Sequence, residues 1–165
     1  MRLIPVQLVI GIDPGTVCGW AVLRADGSRH ESGTWNLKPG RHESAGMRWV
    51  RLRRSLSVLV SAYDRGPQLL AYEAVAAHRG THAAHIYGGC VAVIQEVCEA
   101  AGMDYVGVPV GTVKKRATGK GNAGKAAVIT AAADRWKLDP CTLDHNEADA
   151  LWVAATALAM EVDDT

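Results

Sequence analysis

Apolar and polar positions fall in blocks along this chain, and the blocks have the lengths of strands and helices. Leu8-Val9-Ile10-Gly11-Ile12 is an apolar run of strand length that delivers Asp13 to a Pro14-Gly15 turn. Val17 to Leu23 returns as a second strand, and Asp26-Gly27 signals a tight hairpin into a third, over about 29–35. Residues 36–46 are polar, with Pro39 and Gly40, and predict a loop. Trp49, Val50, Leu52, Leu56, Leu59 and Val60 then recur at helical spacing, predicting a helix over 47–63 stopped by Asp64-Arg65-Gly66-Pro67. Its other face carries Arg48, Arg51, Arg53 and Arg54, which reads as a solvated basic face. Gln68-Leu69-Leu70-Ala71-Tyr72-Glu73 repeats the layout of the first strand, an apolar run that finishes on a carboxylate.

Residues 76–89 are rich in His, Gly and small side chains, and a helix follows to about Ala101 with Val91, Ile94, Val97 and Cys98 inward. His78, His82 and His85 would share one face of a continuous helix and could hold zinc. Gly80-Thr81 interrupts that helix and no Cys stands at ligand spacing, which favours surface or DNA-contacting histidines. A strand over 104–108 leads through Pro109 into a short helix. The stretch from Val113 to Lys125 then holds five basic residues (Lys114, Lys115, Arg116, Lys120, Lys125) among glycines and no acid. Read as a loop, it is either a solvated segment or a phosphate contact. It is not a P-loop, because Ala126 follows Lys125 where Ser or Thr is required. Residues 126–136 form an alanine-rich helix, and a last helix opens at Asp144-His145-Asn146-Glu147-Ala148-Asp149. Acids in a first turn can simply favour the helix dipole. Asp149, however, lies a turn in among apolar residues, and it shares a face with Asn146.

Composition narrows the class. A chain of 165 residues with 48% hydrophobic residues and mean hydropathy +0.01 predicts one globular domain, 1–165, with a frayed acidic tail over 161–165. No run approaches the roughly 20 apolar residues of a bilayer span, and no signal-peptide pattern opens the chain, so a soluble cytoplasmic protein is expected. Four scattered cysteines suggest free thiols rather than a disulfide frame or zinc knuckle. A formal charge of +1 leaves any anionic partner to local basic patches.

Three carboxylates, at two strand ends and one helix start, can meet at a single point. Like charges at that range repel and raise each other's pKa unless a cation offsets them. Carboxylate oxygens suit Mg²⁺ and Mn²⁺, and two such ions about 3.5–4 Å apart can clamp the attacking and leaving oxygens of a phosphodiester displacement. The acids are read as metal ligands rather than a general acid–base pair.

These residues resemble the RuvC family of Holliday junction resolvases, within the RNase H-like nuclease superfamily, and a phage-type member fits the compact chain. Gly11-Ile12-Asp13-Pro14-Gly15-Thr16 with Gly19-Trp20-Ala21-Val22 is similar to the family's first motif, and Tyr72-Glu73 to its second. Val113-Lys114 with Gly119, Gly121 and Lys125 resembles its basic segment, and Ala148-Asp149-Ala150-Leu151 its fourth motif. The resemblance implies that Asp13, Glu73 and Asp149 bind two Mg²⁺ ions per site, with Mn²⁺ as a substitute. It implies that Lys114 and Lys125 contact DNA phosphates or steady the transition state. Lys115, Arg116, Lys120, His78 and Arg79 complete the implied DNA contacts. A homodimer, packed through the helix over about 86–101, would cut two opposed strands of a four-way junction. Two departures stand out. Asn146 occupies a place where the family carries an acid, leaving Asn146, Glu147 or His145 as the fourth ligand. The family's aromatic wedge after the second acid is replaced by Val75-Ala76-Ala77-His78-Arg79, with His78, Arg79 or Tyr87 as substitutes.

The fold expected is α/β: an RNase H-like, five-stranded mixed sheet, its first three strands antiparallel, with helices on both faces. The activity expected is metal-dependent, structure-selective DNA cleavage at four-way junctions, in the bacterial cytoplasm or that of a phage host. Its competitors are a broader nuclease for flaps, Y-forms and forks, a non-catalytic junction binder, and an actin-like phosphotransferase, which needs two such domains.

Overall fold

The run around Ile10 becomes the hub of the sheet because it is apolar on both faces. In the computed structural model, which describes residues 6–63 and 68–163, β1 (Leu8–Asp13) lies between β2 (Val17–Arg24) and β4 (Gln68–Ala74). β3 (Arg29–Asn36) and β5 (Asp104–Pro109) form the edges, giving the order β3-β2-β1-β4-β5. β1–β2 and β2–β3 are antiparallel, whereas β1–β4 and β4–β5 are parallel. The expected five-stranded mixed sheet is therefore present. A parallel β1–β4 pair puts the ends of both acid-tipped strands side by side, with Ile12 opposite Tyr72.

Alternation along the strands divides the core in two. Ile10, Ile12, Cys18, Val22 and Leu70 face α1 (Met47–Ala62) and α2 (Thr81–Ala101), where Leu52, Leu56 and Ile94 are fully buried. Val9, Ala21, Leu69, Ala71 and Val108 face α3 (Val110–Thr118), α4 (Lys125–Trp136) and α5 (His145–Asp163). By the same parity Asp13 and Glu73 belong to the second face, with Val9, Gly11, Leu69 and Ala71. Each fully buried Leu or Ile contributes about 1.5–3 kcal/mol. Arg51 pairs with Glu43 and Arg53 with Glu96, each at 2.6 Å, so the basic side of α1 is a paired, solvated face as expected. Cys18, Cys90 and Cys98 are buried free thiols and Cys141 is exposed, as the scattered spacing implied.

Two elements differ from expectation. α2 begins at Thr81, not near Ile86, and Gly80 before it has φ +99°, a backbone that favours glycine. His78 lies outside the helix while His82 and His85 lie on it, so the three histidines do not form one stacked face. The basic stretch is also no loop: α3 holds Lys114, Lys115 and Arg116, a short turn carries Lys120, and Lys125 opens α4. The stop at 64–67 and the last two tail residues lie outside the described residues, and α5 continues to Asp163. Among the described residues no helix is long and apolar enough to cross a membrane.

α5 lies main chain to main chain on the sheet. A methyl group at Gly11 would run into the Ala150 carbonyl and come within 2.7 Å of the Ala154 nitrogen. One at Gly19 would strike the Asn146 carbonyl. Gly11→Ala and Gly19→Ala should each destabilise by about 2 kcal/mol or more, since neither neighbour is a flexible side-chain end. Urea unfolding measures this, and a loss below about 0.5 kcal/mol would show that α5 does not press on β1 and β2.

Candidate active site

Asp13 is the last residue of β1, and Glu73 stands one residue beyond the point where β4 loses its pairing with β1. Their side chains share a face by strand alternation, and their carboxyls are hydrogen-bonded to each other. Asp149 comes from above, in the second turn of α5, whose course over Gly11 and Gly19 brings it to the strand ends. Asp144 precedes the helix as its cap: its Oδ1 accepts the Asn146 N–H at 2.8 Å, and its carbonyl accepts Ala148 N–H at 3.0 Å.

The electrostatics report a crowded anionic site. Burial, then the charges of Glu73 and Asp149, hold the Asp13 carboxyl well above its usual range, with Lys125 opposing. Glu73 is pushed up to about 7 by burial and by Asp149, against Lys114 and the hydrogen bond from Asp13. Burial also raises Asp149, against His145, Lys114 and Lys125. The three carboxylates are thus brought together, and Lys114 and Lys125 both face them, from α3 and from the start of α4.

The remaining candidates divide. Lys115, Arg116, Lys120 and Arg79 are exposed. The Asn146 amide donates from Nδ2 to Asp144 Oδ1 at 3.0 Å, so its side chain is tied to the cap. Glu147 is not brought to the carboxylates: its Oε1 accepts from Ser32 Oγ at 2.5 Å and lies 3.9 Å from Arg29. Arg29 Nε in turn donates to Ser32 at 2.6 Å, so Glu147 ties the first turn of α5 to edge strand β3. His145 lies close enough to Asp149 for its charge to favour the carboxylate. His78 packs on Tyr87, with ring centroids 4.7 Å apart, and the Tyr87 hydroxyl is bound to the main chain rather than free to wedge between bases.

Carboxylate oxygens in a buried, mutually repelling group suit a hard divalent cation, which offsets the burial and repulsion that raise the Asp13 and Glu73 pKa values. Among the described residues no three acids, histidines or cysteines already stand at ligand spacing, so the group is a set of converging carboxyls and not a preformed cage. Asp144 is the acid that the sequence analysis did not single out. Its charge also raises Asp13 and Asp149. The signal for it was its position as the acid just ahead of a helix, three residues before a Glu.

Known proteins match this chain over most of its length. The family model described as crossover junction endodeoxyribonuclease RuvC matches residues 9–157. The crossover junction endodeoxyribonuclease RuvC of Anaeromyxobacter dehalogenans is 33% identical over 158 residues, covering 93% of this chain and 81% of that relative. The RuvC of Synechococcus sp. is 30% identical over 152 residues, covering 90% of this chain and 96% of its own. Among solved structures, Thermus thermophilus RuvC superposes with a TM-score of 0.79 at 23% identity, covering 94% of this chain and 96% of its own. T. thermophilus RuvC in complex with a Holliday junction substrate gives 0.77 at 21% identity, with 95% of this chain and 96% of its own covered. The chain belongs to the RuvC family of crossover junction endodeoxyribonucleases.

Proposed function

We propose that this chain is a metal-dependent endonuclease of four-way DNA junctions, a single nuclease domain that works as a homodimer in the cytoplasm. The observation that carries the reading is the buried convergence of Asp13, Glu73 and Asp149 with Lys114 and Lys125 facing them. Asp13, Glu73 and Asp149 would hold two Mg²⁺ or Mn²⁺ ions. Ions so held would supply water activation and stabilisation of the departing 3′ oxygen. The ends of β1 and β4 keep the Asp13 and Glu73 carboxyls adjacent. Asp149, fixed by α5 on the bare backbone of Gly11 and Gly19, closes the group from the opposite side. Lys114 and Lys125 offset negative charge there and meet the phosphate, while Lys115, Arg116 and Lys120 fix the DNA backbone outside it. Asn146, tied to Asp144, positions the cap, and His145 is left as the neighbour of Asp149.

The test is cleavage of an end-labelled synthetic four-way junction, beside linear duplex, flap and Y-form, with Mg²⁺, Mn²⁺ or EDTA. Paired, metal-dependent nicks confined to the junction support the reading. Cutting of every branched form makes the protein a broader debranching nuclease, and tight binding without cutting makes it a junction binder.

Asp13→Asn should lower junction cleavage by roughly a thousandfold or more, since several kcal/mol of charge stabilisation are lost, while binding in EDTA persists. Binding lost in a folded Asp13→Asn protein would assign Asp13 another role. Junction affinity should fall steeply with NaCl, and Lys120→Ala should reduce the log–log slope by about 0.9 if it meets one phosphate. Fluorescence anisotropy gives that slope, and a flat salt response rules out the basic segment as a DNA contact.

Acidity gives a third check. Glu73 binds its proton more tightly when folded (about 7 against an ordinary 4.5), so this contribution to stability is complete below the ordinary value and is lost as pH rises through about 7. Without metal, the melting temperature should fall from about pH 5 to about pH 8, Mn²⁺ should restore it at the higher pH, and Glu73→Gln should flatten the profile. Calorimetry that finds the metal-free protein more stable at about pH 8, with no change in Glu73→Gln, contradicts the assignment.

A further inference from the structure

The strand that carries Glu73 loses its support at the position where the carboxylate needs it most. Pairing between β4 and β1 ends at Ile12–Tyr72, so Glu73 follows the last β1 contact, and only β5 continues alongside, through Glu73–Val108 and Ala74–Pro109. After Ala74 the chain leaves the sheet for the turn that leads to Gly80. A strand end held on one side swings about its last paired residue, and a long side chain such as Glu amplifies the swing.

One hydroxyl closes the open side. Tyr87, two turns into α2, donates from Oη to the Glu73 carbonyl at 3.0 Å, and the same oxygen accepts the Val75 N–H at 3.1 Å. The phenol thus takes the donor and acceptor places that a neighbouring strand would have filled, on both sides of Ala74. The ring is itself held: it is half-buried and packs against His78, at 4.7 Å between centroids and 43° between planes, so the turn folds back over the residue that pins it. Each bond is of ordinary length, and both are made to the main chain.

We propose that Tyr87 is a positioning residue for Glu73, its hydroxyl fixing the end of β4 so that the carboxylate points at Asp13 and the incoming cation. This rests on the reading of Glu73 as a metal ligand. Tyr87→Phe keeps the ring and its packing on His78 and removes only the two hydrogen bonds. The loss of one well-placed main-chain anchor should weaken Mn²⁺ binding about tenfold.

The experiment is Mn²⁺ binding to the full-length wild type, Tyr87→Phe and Tyr105→Phe, followed by electron paramagnetic resonance, with amide hydrogen exchange at Val75 measured on the same proteins. Tyr105, whose hydroxyl meets Glu99 at the surface, is the control. The expected result is faster exchange at Val75 and about tenfold weaker Mn²⁺ binding in Tyr87→Phe alone, with junction binding in EDTA unchanged. Equal Val75 exchange in wild type and Tyr87→Phe overturns the proposal whatever the metal does. Faster exchange with unchanged Mn²⁺ affinity overturns it too, because the hydroxyl would then hold the strand without bearing on the carboxylate. A wild type that binds no Mn²⁺ while Val75 still depends on Tyr87 fails at the earlier step, the assignment of Glu73 as ligand, and removes this role with it.

Discussion

The contact on which the rest of the molecule depends is the bare main-chain meeting of α5 with β1 and β2. Helices ordinarily stand about 10 Å off a sheet because side chains fill the space between. Gly11 and Gly19 remove those side chains, and α5 settles with its Ala150 and Asn146 carbonyls over them. That closeness sets the height of Asp149 above Asp13. It also accounts for Ala150 and Ala154, both buried, which lie directly against Gly11. The site is therefore a product of backbone packing, and its carboxylates meet because glycine and alanine let them.

Such closeness has an electrostatic consequence. Three converging acids would destabilise the fold if all were ionised, and Lys114 and Lys125 oppose that charge locally. The polar connections outside the site resist the same repulsion. Asp144 caps α5, and the Glu147–Ser32–Arg29 chain ties its first turn to β3. The tension and its restraints sit within a few residues of each other, which keeps the outer sheet ordinary in its packing.

The strands and the acids were legible in the sequence because each depends on local pattern: an apolar run, an abrupt carboxylate, a Pro-Gly or Asp-Gly turn. What stayed hidden depends on distant partners or on absent signals. α2 begins without a side-chain cap, at Gly80, so its start did not announce itself; Pro109 marked the start of α3, but Val113 is the one buried residue of that helix, so its extent carried no apolar signal. Lys114 to Arg116 consequently read as loop. Glu147 looked like a ligand beside Asp149, but its direction is set by Ser32, more than a hundred positions away in the chain. Tyr87 read as a substitute for the family's aromatic wedge because its anchor is main chain, which carries no sequence signature.

The cysteines separate by environment. Burial raises the thiols of Cys18, Cys90 and Cys98, the last two to about 11 and about 12, leaving them protonated and shielded at neutral pH. Cys141 is exposed, three residues ahead of the Asp144 cap. A maleimide fluorophore would consequently label the protein at one position without mutagenesis, at the root of the helix that brings Asp149 to the site. Its emission would give an optical record of α5 settling when cations or DNA arrive.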